Sequence, residues 1–317
     1  MTAQDTYWPS EADVKAGEAW ALERLAERGV GPSGESERVK LRPWSVVLRV
    51  PTVDGPVWFK ANGGLTRYEA ALAGALSEWA PGRVLTPLAV DTTRGWQLLP
   101  DGGTPLRELD ANKDLATWER FVAEYSELQR LVTPRADELL ALGVPDQRPT
   151  SMPAHFDSLL DDPAVEMGEE ARSSLRALRS EYADACARLA EAGPPPTLDH
   201  NDLHSGNVLP TMVGDVFFDW GDASVAHPFT SMLVGMRTLA WTFEIPRDDP
   251  AVLRFRDAYL EPWGLGADGP ELVRLAAWTG TIGRALTWRR ALIEADPAAV
   301  RELDNPVGGW AEELLDR

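Results

Sequence analysis

Cysteine is almost missing from this chain of 317 residues. Cys186 is the only one, which excludes an intrachain disulfide and a cysteine-based zinc site and fits a reducing compartment. Positive charge is also short, with 31 basic residues against 50 acidic ones and a net charge of -19. That is the wrong sign for gripping a phosphate backbone over a broad surface, so nucleic acid is not an expected partner. Long apolar runs are missing too, since no segment reaches the roughly 18 uninterrupted apolar residues of a membrane span. The first thirty residues carry Glu11, Asp13, Glu18, Glu23 and Glu27 with no apolar block, so the expectation is a cytoplasmic protein without membrane association.

What the chain does have is enough apolar material to fold. Hydrophobic residues make up 44% of it, alongside 25 Pro and 26 Gly, which is too apolar for a disordered polypeptide and too long for one small module. Its charge is uneven: residues 1–100 hold 12 acidic and 11 basic residues, which leaves 38 and 20, a net charge of -18, for residues 101–317. In the first part, the stripe Ala12, Ala16, Ala19, Leu22 and Ala26 predicts a helix from Glu11 to Arg28, ahead of a cap at Gly29. Segments 44–52 and 56–61, rich in β-branched and aromatic residues, flank the turn Asp54-Gly55 and predict a hairpin, with 38–41 as a third strand. A helix over Thr66–Trp79 and strands over 84–90 and 95–100 complete this part.

Beyond DGGTP (101–105) the period is helical almost to residue 192. Trp118, Val122, Tyr125, Gln129 and Val132 mark one helix, and another runs from Glu169 to Ala192 until Gly193 and three prolines stop it. The reading is an α+β chain with an N-terminal antiparallel sheet part, 1–100, and a larger helical C-terminal part, 101–317.

Between that helix stop and a short apolar strand, 215–220, lies HNDLHSGN (200–207), whose polar side chains have no packing duty. Asp219 ends the strand, and a hairpin brings it back beside Asn207. Oxygen donors from Asn207 and Asp219 suit Mg²⁺, which completes its octahedron with water and substrate phosphates, and Asp202 is then left to act as a base. His200 and His204 sit in a loop without the Glu of a zinc-protease motif, so His200 is expected to bond the backbone and shape the loop. Lys60, one of four lysines, lies in VWFKA (57–61), where alternation turns it toward either a cleft or water. Glu69 pairs with it if the next helix packs back on the sheet.

Lys60, Glu69, HNDLHSGN and DWGD in this order resemble the aminoglycoside phosphotransferase and choline kinase-like family, small-molecule kinases that share the protein-kinase fold; the resemblance covers roughly residues 37–230. It implies an N-terminal lobe of five strands and one helix, a hinge, and a larger helical lobe. It implies ATP and Mg²⁺, with Asp202 as the base that accepts the proton of the attacking hydroxyl, Asn207 and Asp219 as metal ligands, and Lys60, held by Glu69, on the α- and β-phosphates. The chain departs from the family in two places. LRPWS (41–45) replaces a glycine-rich phosphate loop, which leaves Ser45 and its neighbouring amides as the expected phosphate contact and Leu99 as the hinge against adenine. After DWGD, ASVAHPFTSM (223–232) puts Ser231 near the place where the family commonly has an Asp.

The acceptor is expected to be a small molecule with a hydroxyl group. The charge of residues 101–317 favours an aminoglycoside-like or other cationic acceptor, with a sugar, an amino sugar, choline or homoserine as alternatives. Asp222, Trp241 and Glu244 are the candidate substrate contacts. From another class, a nucleotide-binding pseudokinase with a regulatory role is the rival, against which every catalytic position is filled. A protein kinase is disfavoured because no activation-loop-length segment separates Asp219 from His227-Pro228.

Overall fold

The computed structural model describes residues 7–316 and divides the chain into two units: residues 7–103 with 288–304, and residues 104–287 with 305–316. The fold is α+β, as the sequence predicts.

In the first unit, helix α1 spans Glu11–Glu27. Ser10 starts it through a capping box: its Oγ accepts from Asp13 N at 3.2 Å, while the Asp13 carboxylate accepts from Ser10 N at 2.8 Å. The buried face is Val14, Gly17, Trp20, Ala21 and Leu25, not the predicted alanine stripe. Burying valine, tryptophan and leucine removes more apolar area from water than burying alanines, which fixes the rotation of the helix. Below it lies a five-stranded sheet of β1 (Glu37–Arg42), β2 (Ser45–Thr52), β3 (Gly55–Asn62), β4 (Ala89–Asp91) and β5 (Trp96–Pro100) in the order β1-β2-β3-β5-β4, with every neighbouring pair antiparallel. The predicted strand over 84–90 shrinks to the short β4, because Pro87 fixes φ and has no N–H to give a ladder. Helix α2 (Glu69–Trp79) follows β3, with a turn of 3₁₀ helix at Gly64–Thr66 where the predicted helix begins. The core joins α1 to one sheet face, where Trp20, Phe59 and Trp96 meet edge to face at centroid distances of 5.7–5.9 Å. Residues 288–304 join this unit through Glu294, which accepts from Gly64 N and Arg67.

The second unit is mostly helical. Helix α3 (Leu115–Val132) buries Trp118, Val122, Tyr125, Gln129 and Val132, the predicted stripe. Helix α4 (Ala136–Ala141) and the short strand β6 (Asp146–Gln147) lead to α5 (Met152–Asp161). The long helix predicted over 169–192 is two helices, α6 (Glu169–Ala177) and α7 (Arg179–Ala192), with Leu178 closing the first by bonding its N–H to Leu175 O. Four further strands follow: β7 (Thr197–Asp199), the hairpin β8 (Val208–Thr211) with β9 (Gly214–Phe217), and β10 (Ser224–Ala226). Strand β10 lies between β6 and β7 in one small sheet. Helices α8 (Met232–Thr242), α9 (Pro250–Leu260) and α10 (Gly269–Leu292) complete the order, with a short helix at Pro306–Glu312. Phe156, Leu175, Tyr182, Ile282 and Leu286 form the core shared by α5, α6, α7 and α10. Cys186 lies in it, and burial pushes its thiol up to about 12, so it is an inert packing residue.

Candidate active site

In the first unit, Lys60 is buried: its Nζ donates to Glu69 Oε1 at 2.7 Å, with side-chain exposures of 9% and 3%. Asn62 Nδ2 donates to the other Glu69 oxygen. Helix α2 therefore does pack back on the sheet, and an ion pair this dry holds the ammonium in one place, because parting the charges would leave one buried alone. Ser45 begins β2 opposite Asn62, 3% exposed, and its Oγ has no hydrogen-bond partner among the described residues. It follows Pro43-Trp44, the turn of the β1–β2 hairpin, so the segment expected at the phosphates is a tight turn without glycine. Leu99, half-buried, pairs with Trp58 near the end of β5.

In the second unit, β7 ends in the loop 200–207. Asn201 turns the chain with φ 61°, a left-handed conformation that Asn tolerates, and its amide donates to Thr287 Oγ1 at 2.9 Å. His200 does bond the backbone, its Nε2 donating to Phe218 O at 2.9 Å. Asn207 Nδ2 donates to Asp202 O at 2.9 Å and stands 3.4 Å from Asp202 Oδ2. The β8–β9 hairpin pairs Val208 with Phe217, and Phe218 N bonds Asn207 O at 3.2 Å, which delivers Asp219 to the mouth of the loop. Asp219 sits there at φ 66°, ψ 62°, a strained conformation for a non-glycine residue. The loop, the hairpin and the turn after it thus gather Asp202, Asn207, Asp219 and Asp222 in one region.

Two further residues shape the electrostatics, Arg284, which no local sequence signal marks, and His204 of the loop itself. Arg284, buried on α10, donates to Asp222 Oδ2 at 2.6 Å and to Asp202 Oδ1 at 3.3 Å. His204 Nε2 lies 3.3 Å from Asp202 Oδ2, while its Nδ1 accepts from Arg107 at 2.9 Å and from Gly206 N at 3.0 Å, so the ring proton sits on Nε2 and points at the carboxylate. Burial alone would push the Asp202 carboxyl up, but Arg284, His204 and His200 outweigh it and hold the group well below the ordinary carboxylate range.

The departure at Ser231 also has a structural answer. Ser231 Oγ donates to Asp199, Thr230 Oγ1 donates to the other Asp199 oxygen at 2.8 Å, and Asp199 accepts Asn201 N at 2.9 Å. The carboxylate comes from the residue before the loop, a position where the sequence pattern gives no reason to look for it.

Asn207 commits its amide nitrogen to Asp202, so its oxygen is the atom left for a cation, and Asp219 adds a carboxylate. This all-oxygen pair fits a hard ion that takes its remaining ligands from water and phosphate. Among the described residues there is no group of three or more His, Cys, Asp and Glu that could hold a metal without such help.

Beside the loop opens a cleft of about 700 Å³. His204 and Ser205 line it from the loop, with Arg107 from the segment after residue 103, Arg237 and Trp241 from α8, and Glu244 and Arg247 beyond that helix. Trp241 and Glu244 thus share one wall, Trp241 being 81% exposed and Glu244 holding φ 54°. Asp222 is not on this lining; it is tied to Arg284.

The antiparallel five-stranded unit and the helix-rich unit make up a protein-kinase-like fold of the kind found in small-molecule kinases. The phosphotransferase enzyme family model matches residues 32–278, and the chain belongs to that family; it is a phosphotransferase acting on hydroxyl acceptors. Among solved structures it is similar to an ethanolamine kinase of Plasmodium vivax, at 13% identity and a TM-score of 0.63 over 97% of this chain and 88% of that one. A choline/ethanolamine kinase family protein from Mesorhizobium loti is 17% identical, with a TM-score of 0.61 over 96% and 95% of the two chains. The GDP and kanamycin complex of APH(2")-IIia is 12% identical, with a TM-score of 0.58 over 94% and 96%. A comparison with curated protein sequences finds no match. No helix among the described residues is long and apolar enough to cross a membrane.

Proposed function

We propose that the chain transfers the γ-phosphate of ATP, with Mg²⁺, to a hydroxyl group of a small molecule. The observation that carries this reading is the Asp202–Asn207 pair on one loop, with Asp219 brought to it by the hairpin backbone bond. The acceptor oxygen bonds to the γ-phosphorus as the bond from that phosphorus to the bridging oxygen of ADP breaks, and the hydroxyl proton passes to Asp202. Arg284 and His204 keep Asp202 ionised and aimed. So depressed a base chiefly aligns the hydroxyl and takes its proton late, which suits a loose phosphoryl transition state. Bound Mg²⁺ neutralises charge on the phosphate oxygens, and Asn207 and Asp219 are the residues that would hold it. Lys60, fixed by Glu69, serves the α- and β-phosphates. Ser45 is the proposed phosphate contact, Leu99 the hinge beside adenine, Asp222 a brace on Asp202 through their shared arginine, and Trp241 and Glu244 acceptor contacts.

A cleft of about 700 Å³ suits a small acceptor. A cationic acceptor has two supports, the net charge of residues 101–317 and the likeness to an ethanolamine kinase and to a kanamycin-bound phosphotransferase. The lining of the cleft, with three arginines and one glutamate, has the opposite sign.

The test is ADP release by wild type and Asp202→Asn with Mg-ATP, over aminoglycosides, amino sugars, neutral sugars, hydroxy acids, choline and homoserine. Wild type is expected to release ADP only with its acceptor, and the variant at least about a hundredfold more slowly, while Mg-ATP still raises the melting temperature of both. A variant that turns over normally removes Asp202 as the base. Nucleotide stabilisation with no turnover on any acceptor marks a pseudokinase instead.

A further inference from the structure

We infer that the acceptor carries an anionic group, a carboxylate or a phosphate, seated by Arg107 and Arg247 in the cleft beside the Asp202 loop. This rests on the phosphotransfer reading above and specifies its substrate class. The net charge of -19 points the other way, but screening limits a bound ligand to charges within about 8 Å, so the lining decides.

That lining holds three guanidinium groups against one carboxylate, Glu244. Arg237 is neutralised, paired with Glu313 and lying over the Trp310 ring. The other two are not. Arg107 is exposed, and its hydrogen-bond partner among the described residues is the uncharged Nδ1 of His204. Arg247 is exposed and makes no ion pair among the described residues. Asp248 and Asp249 follow it in sequence but do not line the cleft, and Asp249 is occupied in capping α9 through Ala251 N at 2.8 Å. In a chain where acids outnumber bases 50 to 31, two guanidinium groups without a carboxylate partner on one concave wall are free to take an anion from outside.

The position is also right for chemistry. Arg107 is separated from Asp202 by one imidazole, so a small molecule anchored there has its hydroxyl near the base. Trp241, at 81% exposure, offers a flat apolar face to the uncharged body of the ligand.

The test uses acceptors matched in shape and differing in charge: glucuronate, glucose and glucosamine; glycerate, glycerol and 3-amino-1,2-propanediol; and glucose 6-phosphate to separate phosphate from carboxylate. KM is read from ADP release with Mg-ATP, and Kd for the Mg-ADP complex is read by calorimetry where there is no turnover. The anionic member of a series is expected to have the lowest KM or Kd. Arg247→Gln and Arg107→Gln are each expected to raise it at least about tenfold with much less effect on the neutral member, and Arg247→Lys to recover part of the loss. Both side chains are exposed, and an unchanged melting temperature checks that the variants fold. Preference for neutral or cationic members, no binding of any anionic member, or an equal shift of anionic and neutral members in both variants overturns the inference. The phosphotransfer reading fails on separate readouts, namely no stabilisation by Mg-ATP and no ADP release with any acceptor.

Discussion

Asp199 is 1% exposed, and what holds it is two hydroxyl hydrogens and one amide hydrogen, from Ser231, Thr230 and Asn201. Burial pushes its carboxyl up, toward the neutral form. Ser231 also meets Tyr125 at 2.9 Å and Gln129 at 3.2 Å, so one carboxylate organises the base of the loop. Truncation by Asp199→Ala leaves the buried Ser231 hydroxyl and Asn201 amide without this acceptor, while Thr230 keeps His227 O at 2.6 Å, and is expected to cost about 3 kcal/mol of stability, whereas Asp199→Asn, which keeps an acceptor and adds no charge, is expected to cost far less. Urea denaturation with an unchanged slope reads the difference, and an alanine variant as stable as wild type would count against the network. Asp202, Asn207 and Asp219 were legible in sequence because short spacing and one hairpin fix their neighbourhood. Asp199 and Arg284 were not, since what identifies them is a hydroxyl 32 residues away and a carboxylate 82 residues away in sequence.

At the scale of elements, α1 shows how packing chooses among faces that periodicity leaves open. Gly17 stands where a Cβ would fall on the Phe59 ring, so the helix approaches the sheet closely only because that residue has no side chain. Gly17→Ala gains up to about 1 kcal/mol in helix propensity, but the overlap costs about 1–3 kcal/mol, and a net loss is expected. A thermal melt decides it, and a variant more stable than wild type would refute the close approach. The α6–α7 break has the same origin. The apolar stripe repeats through Leu178 without interruption, and the turn there appears only once Leu175 and Tyr182 both pack into the core that includes Phe156 of α5. Strand β4 errs in the other direction: its residues favour a strand, and one proline is enough to shorten it.

For the molecule as a whole, buried His227 sets a pH window. It is 2% exposed, and burial pulls its imidazole down from 6.5 to about 3. The folded value lies below the unfolded one, so the contribution of this group to stability is complete above pH 6.5 and is lost as the pH falls from there toward 3, at up to about 1.4 kcal/mol per pH unit. Urea midpoints are expected to be lower at pH 5 than at pH 7.5, and His227→Asn, which keeps an acceptor for Phe229 N, is expected to flatten that difference; an equal slope in the variant would assign it to other groups. Charge shows the limit of whole-chain reasoning in another way. The total of -19 was known from composition, yet the sign inside a cleft depends on which side chains already have partners, and that is a tertiary property. The sequence by itself determined the α+β class, the hairpins and the loop carrying Asp202 and Asn207, because turn chemistry, periodicity and short spacing act over a few residues. The tertiary structure alone decided which helix face is buried, which carboxylate braces the loop and which arginines stay unpaired, because burial and pairing join residues that the sequence holds tens of positions apart.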